Sequence, residues 1–264
     1  MHTLARLSIL SLLLAGCSSS SSTSTPHHYV LVHGAFQGAW AWSEVASELR
    51  ARGHEVDTVE LPAHGDDTGT LADASMPAYV ARVVAALDDA SEPVVLVGHS
   101  MGGLVISGAA EARPDRVSRL VYVAAYLPRS GDSLLSLAST DAGSTLGAAL
   151  LDDGSDGTLD VRTDALVGIF CADCDEGAQA ELLARYRTEP ALPLTQAITL
   201  SEAAFGRVAR AYLHATDDRA VSRELQGRMV AASPVVESAE LATGHSPFLS
   251  RPVETADALE TLAD

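Results

Sequence analysis

The chain has 264 residues, 47% of them hydrophobic, so it is long enough to bury a sizeable core as one large domain or two small ones. Its formal net charge of -18 argues against nucleic acid and against an anionic membrane surface as partners, because like charges repel. The sequence contains no lysine, which excludes Schiff-base chemistry and a catalytic lysine. One α/β domain with an insertion fits these properties best.

The first 26 residues are predicted to be a targeting segment. Residues 1–16 have the pattern of a signal peptide, with an apolar run from Leu7 to Leu14 that is too short to span a bilayer. Leu14-Ala15-Gly16-Cys17 resembles the lipobox of bacterial lipoproteins, and residues 17–26 are a Ser/Thr-rich tether. We therefore expect export and a lipid anchor at Cys17 in the cell envelope, at the outer membrane if the bacterium has two. An ordinary signal peptide with an incidental cysteine is the alternative.

Residues 27–264 are predicted to form a mainly parallel sheet flanked by helices, because short apolar runs alternate with amphipathic segments. The predicted strands are Tyr29 to His33, Glu55 to Leu61, Val94 to Gly98, Leu120 to Ala124, Ala209 to Ala215 and Val235 to Leu241. The predicted helices are Trp40 to Arg52, Pro77 to Ala90, Leu104 to Arg113, Val221 to Ala232 and Val253 to Leu262. The interval from about 126 to 207 breaks this alternation, which predicts a lid or cap, since structureless loops of that length are uncommon.

A sharp turn carrying a serine is predicted after the third strand. The segment Gly98-His99-Ser100-Met101-Gly102 lies between that strand and the following helix. A serine hydroxyl is a weak nucleophile, so it has to stand clear of the sheet on a turn too tight for large neighbours, and the two glycines satisfy this demand. Ser100 is the predicted nucleophile.

The base and the acid that such a serine needs are found further along the chain. His245 follows the last predicted strand, where a loop can lean over the turn. Asp217 and Asp218 end the preceding strand, which gives the chain order serine, aspartate, histidine. Spacing alone does not choose between the two aspartates, and both could merely shape a turn.

Two backbone amides are candidates for binding an oxyanion. The amide of Met101 directly follows the serine, and the amide of Ala35 follows the first strand, where Gly34 allows a close turn. An ordinary structural turn at residues 33–36 is the alternative.

The two remaining cysteines, Cys171 and Cys174, are predicted to form a local disulfide in an exported protein. A redox site would need the pair at the start of a helix after a strand, and a zinc site would need further ligands nearby. Neither pattern is present, so the pair is expected to be structural or to be incidental thiols. A serine nucleophile with a histidine base and an aspartate requires no metal or cofactor, and none is expected.

Together these residues resemble the α/β-hydrolase superfamily, most closely the branch with plant methyl esterases, salicylate-binding esterases and hydroxynitrile lyases. The resemblance rests on these segments: Val30-Leu31-Val32-His33-Gly34-Ala35, Gly38-Ala39-Trp40, Gly53-His54-Glu55-Val56, Leu61-Pro62-Ala63-His64-Gly65, Val97-Gly98-His99-Ser100-Met101-Gly102-Gly103 and Thr216-Asp217-Asp218-Arg219. It implies Asp218 rather than Asp217 as the acid, Ser100 as nucleophile and His245 as base. It also implies amide donors at Ala35 and Met101 and a helical cap after Tyr126.

Two departures argue against a lyase. The lyases carry threonine after the first motif histidine and lysine after the last histidine, whereas this chain has Gly34 and Ser246. The similar dehalogenases and epoxide hydrolases use aspartate where Ser100 stands, so both activities are also disfavoured.

The sequence thus predicts a serine hydrolase that cleaves a small, mainly apolar carboxylic ester through an acyl-enzyme. Phe36, Trp40 and Phe170 are predicted pocket walls, with core packing as the alternative for each. A thioesterase, lactonase or amidase with the same triad remains open, as does a non-catalytic ligand-binding protein on this scaffold.

Overall fold

A six-stranded parallel sheet forms the centre of the molecule. Its strands are β1 (His28–Val32), β2 (Glu55–Val59), β3 (Val94–His99), β4 (Val117–Val123), β7 (Arg210–Ala215) and β8 (Glu237–Leu241). Their spatial order is β2-β1-β3-β4-β7-β8. The computed structural model describes residues 25–151 and 157–264. The predicted signal peptide and Cys17 therefore lie outside the described residues. The predicted mainly parallel sheet is confirmed.

Helices cover both faces of this sheet. They are α1 (Ser43–Ala51), α2 (Met76–Asp89), α3 (Gly102–Ala112), α8 (Arg223–Ala232), α9 (Pro247–Ser250) and α10 (Pro252–Ala263). Apolar side chains of α2, α3 and α8 form one buried cluster, and those of α1 and α10 form the other. Alternate residues of β3 divide between the two clusters, with Leu96 in the first and Val95 and Val97 in the second. All six residues of β3 are buried because both faces of the strand are covered.

The ends of several elements differ from the predicted ones. The predicted first helix is divided, with a 3-10 turn at Ala39–Trp42 before α1. Strand β4 begins three residues earlier than predicted, at Val117, and β8 begins two residues later, at Glu237. Element ends depend on tertiary contacts that a local hydrophobic pattern does not contain.

The cap lies between β4 and β7 of the sheet, in the interval that the sequence marked as different. It contains the helices α4 (Leu134–Ala138), α5 (Thr163–Phe170), α6 (Glu176–Arg185) and α7 (Ala191–Thr195). It also contains a feature that the sequence did not predict, the antiparallel pair β5 (Thr158–Leu159) and β6 (Glu189–Pro190). No helix in residues 25–151 and 157–264 combines the length and apolar character needed to cross a membrane.

Candidate active site

Ser100 stands at the junction of β3 and α3 in a strained backbone conformation. Its φ angle is +52°, in the left-handed region that costs a non-glycine residue about 1–3 kcal/mol. The turn is tight on both sides. A Cβ at Gly98 would lie 2.7 Å from the carbonyl oxygen of Gly102, and a Cβ at Gly102 would lie 2.8 Å from that of His33. Only glycine fits at these two positions, which explains the spacing around the serine.

His245 and Asp218 form a buried side-chain pair. The Nδ1 atom of His245 lies 2.8 Å from Oδ2 of Asp218, and both side chains are buried. Because a carboxylate only accepts hydrogen bonds, Nδ1 carries the proton in the neutral ring, and in that tautomer the lone pair is on Nε2. The Oδ1 atom of Asp218 accepts the amides of Ala220 at 2.8 Å and Val221 at 2.9 Å. Asp217 is exposed, so the structure brings only the second aspartate to the histidine.

The serine turn itself holds the histidine loop. The Nε2–H group of His99, the residue before Ser100, donates to the carbonyl oxygen of His245 at 2.9 Å, and the two rings are 4.5 Å apart. Burial, followed by the nearby His245, lowers the pKa of His99 well below its ordinary value. His99 therefore stays neutral and serves as a buried spacer between the serine and the histidine.

The loop after β1 presents a free amide beside the serine. A Cβ on Gly34 would lie 2.8 Å from Cβ of Ser100, so glycine permits the close approach. Nδ1 of His33 donates to the carbonyl oxygen of Gly34 at 2.8 Å. In a trans peptide the C=O and N–H groups point in opposite directions, so this bond fixes the direction of the Ala35 N–H. Within residues 25–151 and 157–264, neither the Ala35 nor the Met101 amide has a protein acceptor.

A mainly apolar cavity of about 240 Å³ opens onto Ser100. Ala35 and Phe36 from the loop after β1, Tyr126 from the segment after β4, and Phe170 from the cap contribute to its wall. Its other apolar residues come mostly from the cap: Leu134, Leu135, Ala138, Leu146, Leu150, Leu159 and Leu194. Trp40, a predicted wall, is not part of this lining; its ring lies under the guanidinium carbon of Arg185, at 5.3 Å.

Cys171 and Cys174 are joined by a disulfide at the end of α5. Phe170, the last residue of α5, has its ring 5.8 Å from the imidazole of His245 and 5.7 Å from the ring of Phe36. The disulfide therefore constrains the chain immediately after Phe170, which borders the candidate site. No group of three or more His, Cys, Asp or Glu side chains in the described parts of the chain is arranged to hold a metal ion.

Three residues near the site were missed by sequence reasoning. Tyr126 lines the cavity, and Glu189 and His64 form a fully buried pair beside Phe36. His64 belongs to a quoted motif, but nothing in the motif suggests a partner. Glu189 is one of many acidic residues in the cap, and only its burial, with 0% of its surface exposed, distinguishes it.

Comparison with known proteins agrees with this fold. The profile described as Alpha/beta hydrolase family matches residues 29–258. Methylesterase 8 of Arabidopsis thaliana is 31% identical over 264 residues, covering 97% of this chain and 96% of its own length. Esterase PIR7B of Oryza sativa subsp. japonica is 31% identical over 266 residues, covering 92% and 98%. The crystal structure of the pyrethroid hydrolase PytH superposes with a TM-score of 0.79 at 26% identity, covering 91% of this chain and 98% of PytH.

Proposed function

This chain belongs to the alpha/beta hydrolase family, and from that premise we propose that it is a serine esterase that cleaves a small, mainly apolar carboxylic ester through an acyl-enzyme. The predicted fold is confirmed, as is the similarity to plant methyl esterases. The observation that carries the proposal is the buried Asp218–His245 pair, tied through His99 to the strained turn of Ser100.

The proposed mechanism follows from the positions of these groups. Ser100 Oγ attacks the ester carbonyl carbon while Nε2 of His245 accepts the hydroxyl proton. Asp218 keeps the imidazole in the required tautomer and stabilises its cation. The amides of Ala35 and Met101 donate to the oxyanion, each contributing about 3 kcal/mol to transition-state stabilisation.

The two halves of the reaction use the same groups. When the tetrahedral intermediate collapses, the bond to the alcohol oxygen breaks and His245 returns its proton to the leaving alcohol. Water then attacks the acyl-enzyme, giving a proton to His245. Collapse of the second intermediate releases the carboxylic acid and restores the Ser100 hydroxyl.

The cavity supports the proposed substrate class. Its volume of about 240 Å³ lies below the roughly 300–1,000 Å³ of drug-sized pockets, and its wall is mainly aliphatic and aromatic. A short apolar acyl group or alcohol fits this space, whereas a large or multiply charged substrate would not.

Other acyl-transfer activities use the same catalytic groups, so these groups alone do not determine which leaving group the enzyme accepts. Thioester, lactone and amide hydrolysis are the alternatives, and the esterase names of the relatives favour an oxygen ester. A non-catalytic binding protein would not need a strained serine, a buried aspartate and an oriented histidine.

Turnover of p-nitrophenyl acetate and butyrate, with covalent labelling by a fluorophosphonate, tests the proposal. Wild-type protein should hydrolyse one or both esters and label at Ser100. Ser100→Ala should abolish both signals, and the matched control Ser91→Ala, at an exposed serine outside the cavity lining, should leave both unchanged. A folded wild-type protein that neither turns over nor labels would rule out a serine hydrolase.

We also propose export with a lipid anchor at Cys17, which rests on the residues before the described part of the chain. Several acyl chains, at about 0.8 kcal/mol per buried methylene, would hold the protein at a membrane. Expressed in a bacterium, the wild type should incorporate labelled palmitate and sediment with membranes, and Cys17→Ser should do neither while remaining active. Membrane association that survives this substitution would argue for a different anchor.

A further inference from the structure

The loop that carries the Ala35 amide adopts a conformation that its own sequence does not favour. Phe36 has a φ angle of +63°, in the left-handed region, and it is a bulky residue without the freedom of glycine. Such a conformation persists only when surrounding contacts over-determine it. The His33 bond to Gly34 holds the peptide that contains the Ala35 amide. The contacts of Phe36 hold the loop on the other side of Ala35, so both are needed to keep that amide in its observed direction.

The contacts come from the cap segment 186–190. The Phe36 N–H donates to Oε2 of Glu189 at 2.7 Å, and its carbonyl oxygen accepts the amide of Arg187 at 3.2 Å. Its ring stacks on Tyr186, with centroids 5.7 Å apart and planes 9° from parallel. Both backbone groups of Phe36 and its side chain are thus held by one short stretch of the cap.

Glu189 is itself fixed by a charge partner from the sheet side. Its Oε2 atom lies 2.8 Å from Nε2 of His64, whose Nδ1 atom faces the carbonyl oxygen of Pro62 at 3.0 Å. A carbonyl and a carboxylate are both acceptors, so both ring nitrogens carry protons and His64 is an imidazolium. Burial acts to lower the pKa of His64, but the adjacent Glu189 carboxylate outweighs it and holds the pKa above its ordinary value.

A fully buried ion pair is an expensive way to stabilise a fold, because two charges lose their hydration. Oε1 of Glu189 has no partner within the described ranges, which adds to that cost. An apolar pair of similar volume would serve packing alone at least as well. What the carboxylate adds is a strong, directed acceptor for one backbone amide, that of Phe36.

We propose that Glu189, oriented by His64, is a positioning residue. Through it the cap holds the loop of Ala35 and Phe36 in place, so that the Ala35 amide points at the oxyanion that forms on the substrate carbonyl. This inference rests on the proposed esterase function. Glu189 does not touch the substrate; it acts through the backbone of Phe36. Removing it lets the loop leave its left-handed conformation and misdirects the neighbouring donor.

Three variants test this role. Glu189→Met with His64→Leu removes the clamp while leaving no unpaired buried charge, so the fold should persist. Glu189→Gln keeps an oxygen that can accept the Phe36 amide and serves as the conservative rescue. Glu181→Gln is the matched control, a glutamate of α6 that faces solvent and pairs only loosely with Arg185, at 3.9 Å.

The value of kcat should be expressed per active site titrated with the fluorophosphonate. The second measurement is the inhibition constant of a trifluoromethyl ketone, whose adduct with the serine places an oxyanion against the amides of Ala35 and Met101. The double variant should lower kcat about 10²-fold and weaken the ketone by a similar factor, while KM changes less than about threefold. Glu189→Gln should lose less than about tenfold, and Glu181→Gln should match the wild type. If Glu189 had a purely structural role, the double variant would have a lower Tm, but its kcat per titrated site and its inhibition constant for the ketone would equal those of the wild type.

Amide hydrogen exchange at Phe36, followed by NMR, tests the contact without reference to catalysis. The exchange rate should rise at least about fivefold in Glu189→Gln, because a neutral acceptor holds the amide less strongly than a carboxylate. A folded double variant whose kcat and ketone affinity equal those of the wild type would overturn the proposal. If the double variant does not fold, an unchanged Phe36 exchange rate in Glu189→Gln would overturn it.

The two proposals can fail separately. A wild-type protein that neither hydrolyses esters nor labels at Ser100 defeats the esterase function, yet the exchange measurement still reports whether Glu189 holds the loop. An active wild type whose double variant is equally active defeats the positioning role alone.

Discussion

The central sheet and the cap contribute to the candidate site in different ways. Ser100, Asp218 and His245 each follow the carboxyl end of a sheet strand, β3, β7 and β8 respectively. The cap contributes mainly apolar surface, and several of its leucines are exposed, including Leu135 at 53%. The sheet thus carries the candidate reacting groups, and the cap forms most of the cavity wall.

The physical basis of this division is the number of constraints on each region. Strands β3 and β7, which precede Ser100 and Asp218, each have a neighbouring strand on both sides and are covered by helices, so the residues that follow them are firmly placed. Strand β8, which precedes His245, lies at the edge of the sheet and pairs only with β7. The short helices α4 and α7 have five residues each and depend on tertiary contacts for their stability. The segment 186–190 is the exception, because there the cap reaches the loop of Phe36.

The largest effect is expected from replacing each of the two adjacent aspartates singly by asparagine, which tests the contribution of the sheet to the candidate site. Asp218→Asn should lower kcat by about 10⁴-fold, because the amide favours the wrong tautomer of His245. Asp217→Asn, at the exposed neighbour, should change kcat less than about twofold. Steady-state kinetics on p-nitrophenyl butyrate measures both, and a larger loss in Asp217→Asn would move the acid by one residue.

A core leucine of β3 should matter far more for stability than a cap leucine. Leu96→Ala, at a side chain with 0% exposure, should cost about 2–5 kcal/mol in the free energy of unfolding, since it leaves a cavity between β3 and the helices. Urea denaturation followed by circular dichroism measures this change. A cost below about 1 kcal/mol would contradict the assignment of this residue to the central core.

The disulfide should contribute moderately to stability and little to chemistry. Replacing Cys171 and Cys174 together by serine removes a bridge between residues only three apart, so we expect a loss of about 2 kcal/mol or less. Mass spectrometry of the non-reduced wild type should find the two cysteines linked, and kcat of the double variant should stay within about threefold. Two free thiols in protein exported to an oxidising compartment would contradict the bridge.

Changing the cavity wall should alter substrate choice with little effect on stability. Leu135→Ala enlarges the cavity from an exposed position, so the ratio of kcat/KM for longer over shorter acyl chains should rise by about threefold or more. Leu183→Ala, a half-exposed leucine of α6 outside the lining, is the matched control. Equal ratios in the two variants would show that α4 does not border the bound acyl chain.

Local pattern sufficed for the sheet region. Each predicted strand corresponds to an observed one, because hydrophobic runs between helical segments are set by burial in a parallel sheet. The serine turn was recognisable because its steric demand is local and is met by Gly98 and Gly102. The cap was recognisable only because it interrupts the alternation of apolar runs and amphipathic segments. Its β5–β6 pair joins two-residue strands about 30 residues apart, and strands this short show no hydrophobic periodicity in the sequence.

The sequence by itself determined which residues could react: a serine on a tight turn, a histidine and two aspartates in the order this fold requires. Tertiary structure placed Asp218 rather than Asp217 beside His245, left Trp40 out of the cavity wall and brought Glu189 to Phe36. The reason is physical, since a turn or strand is specified by neighbours a few residues away. Burial, charge pairing and the direction of one amide arise between segments that meet only when the chain has folded.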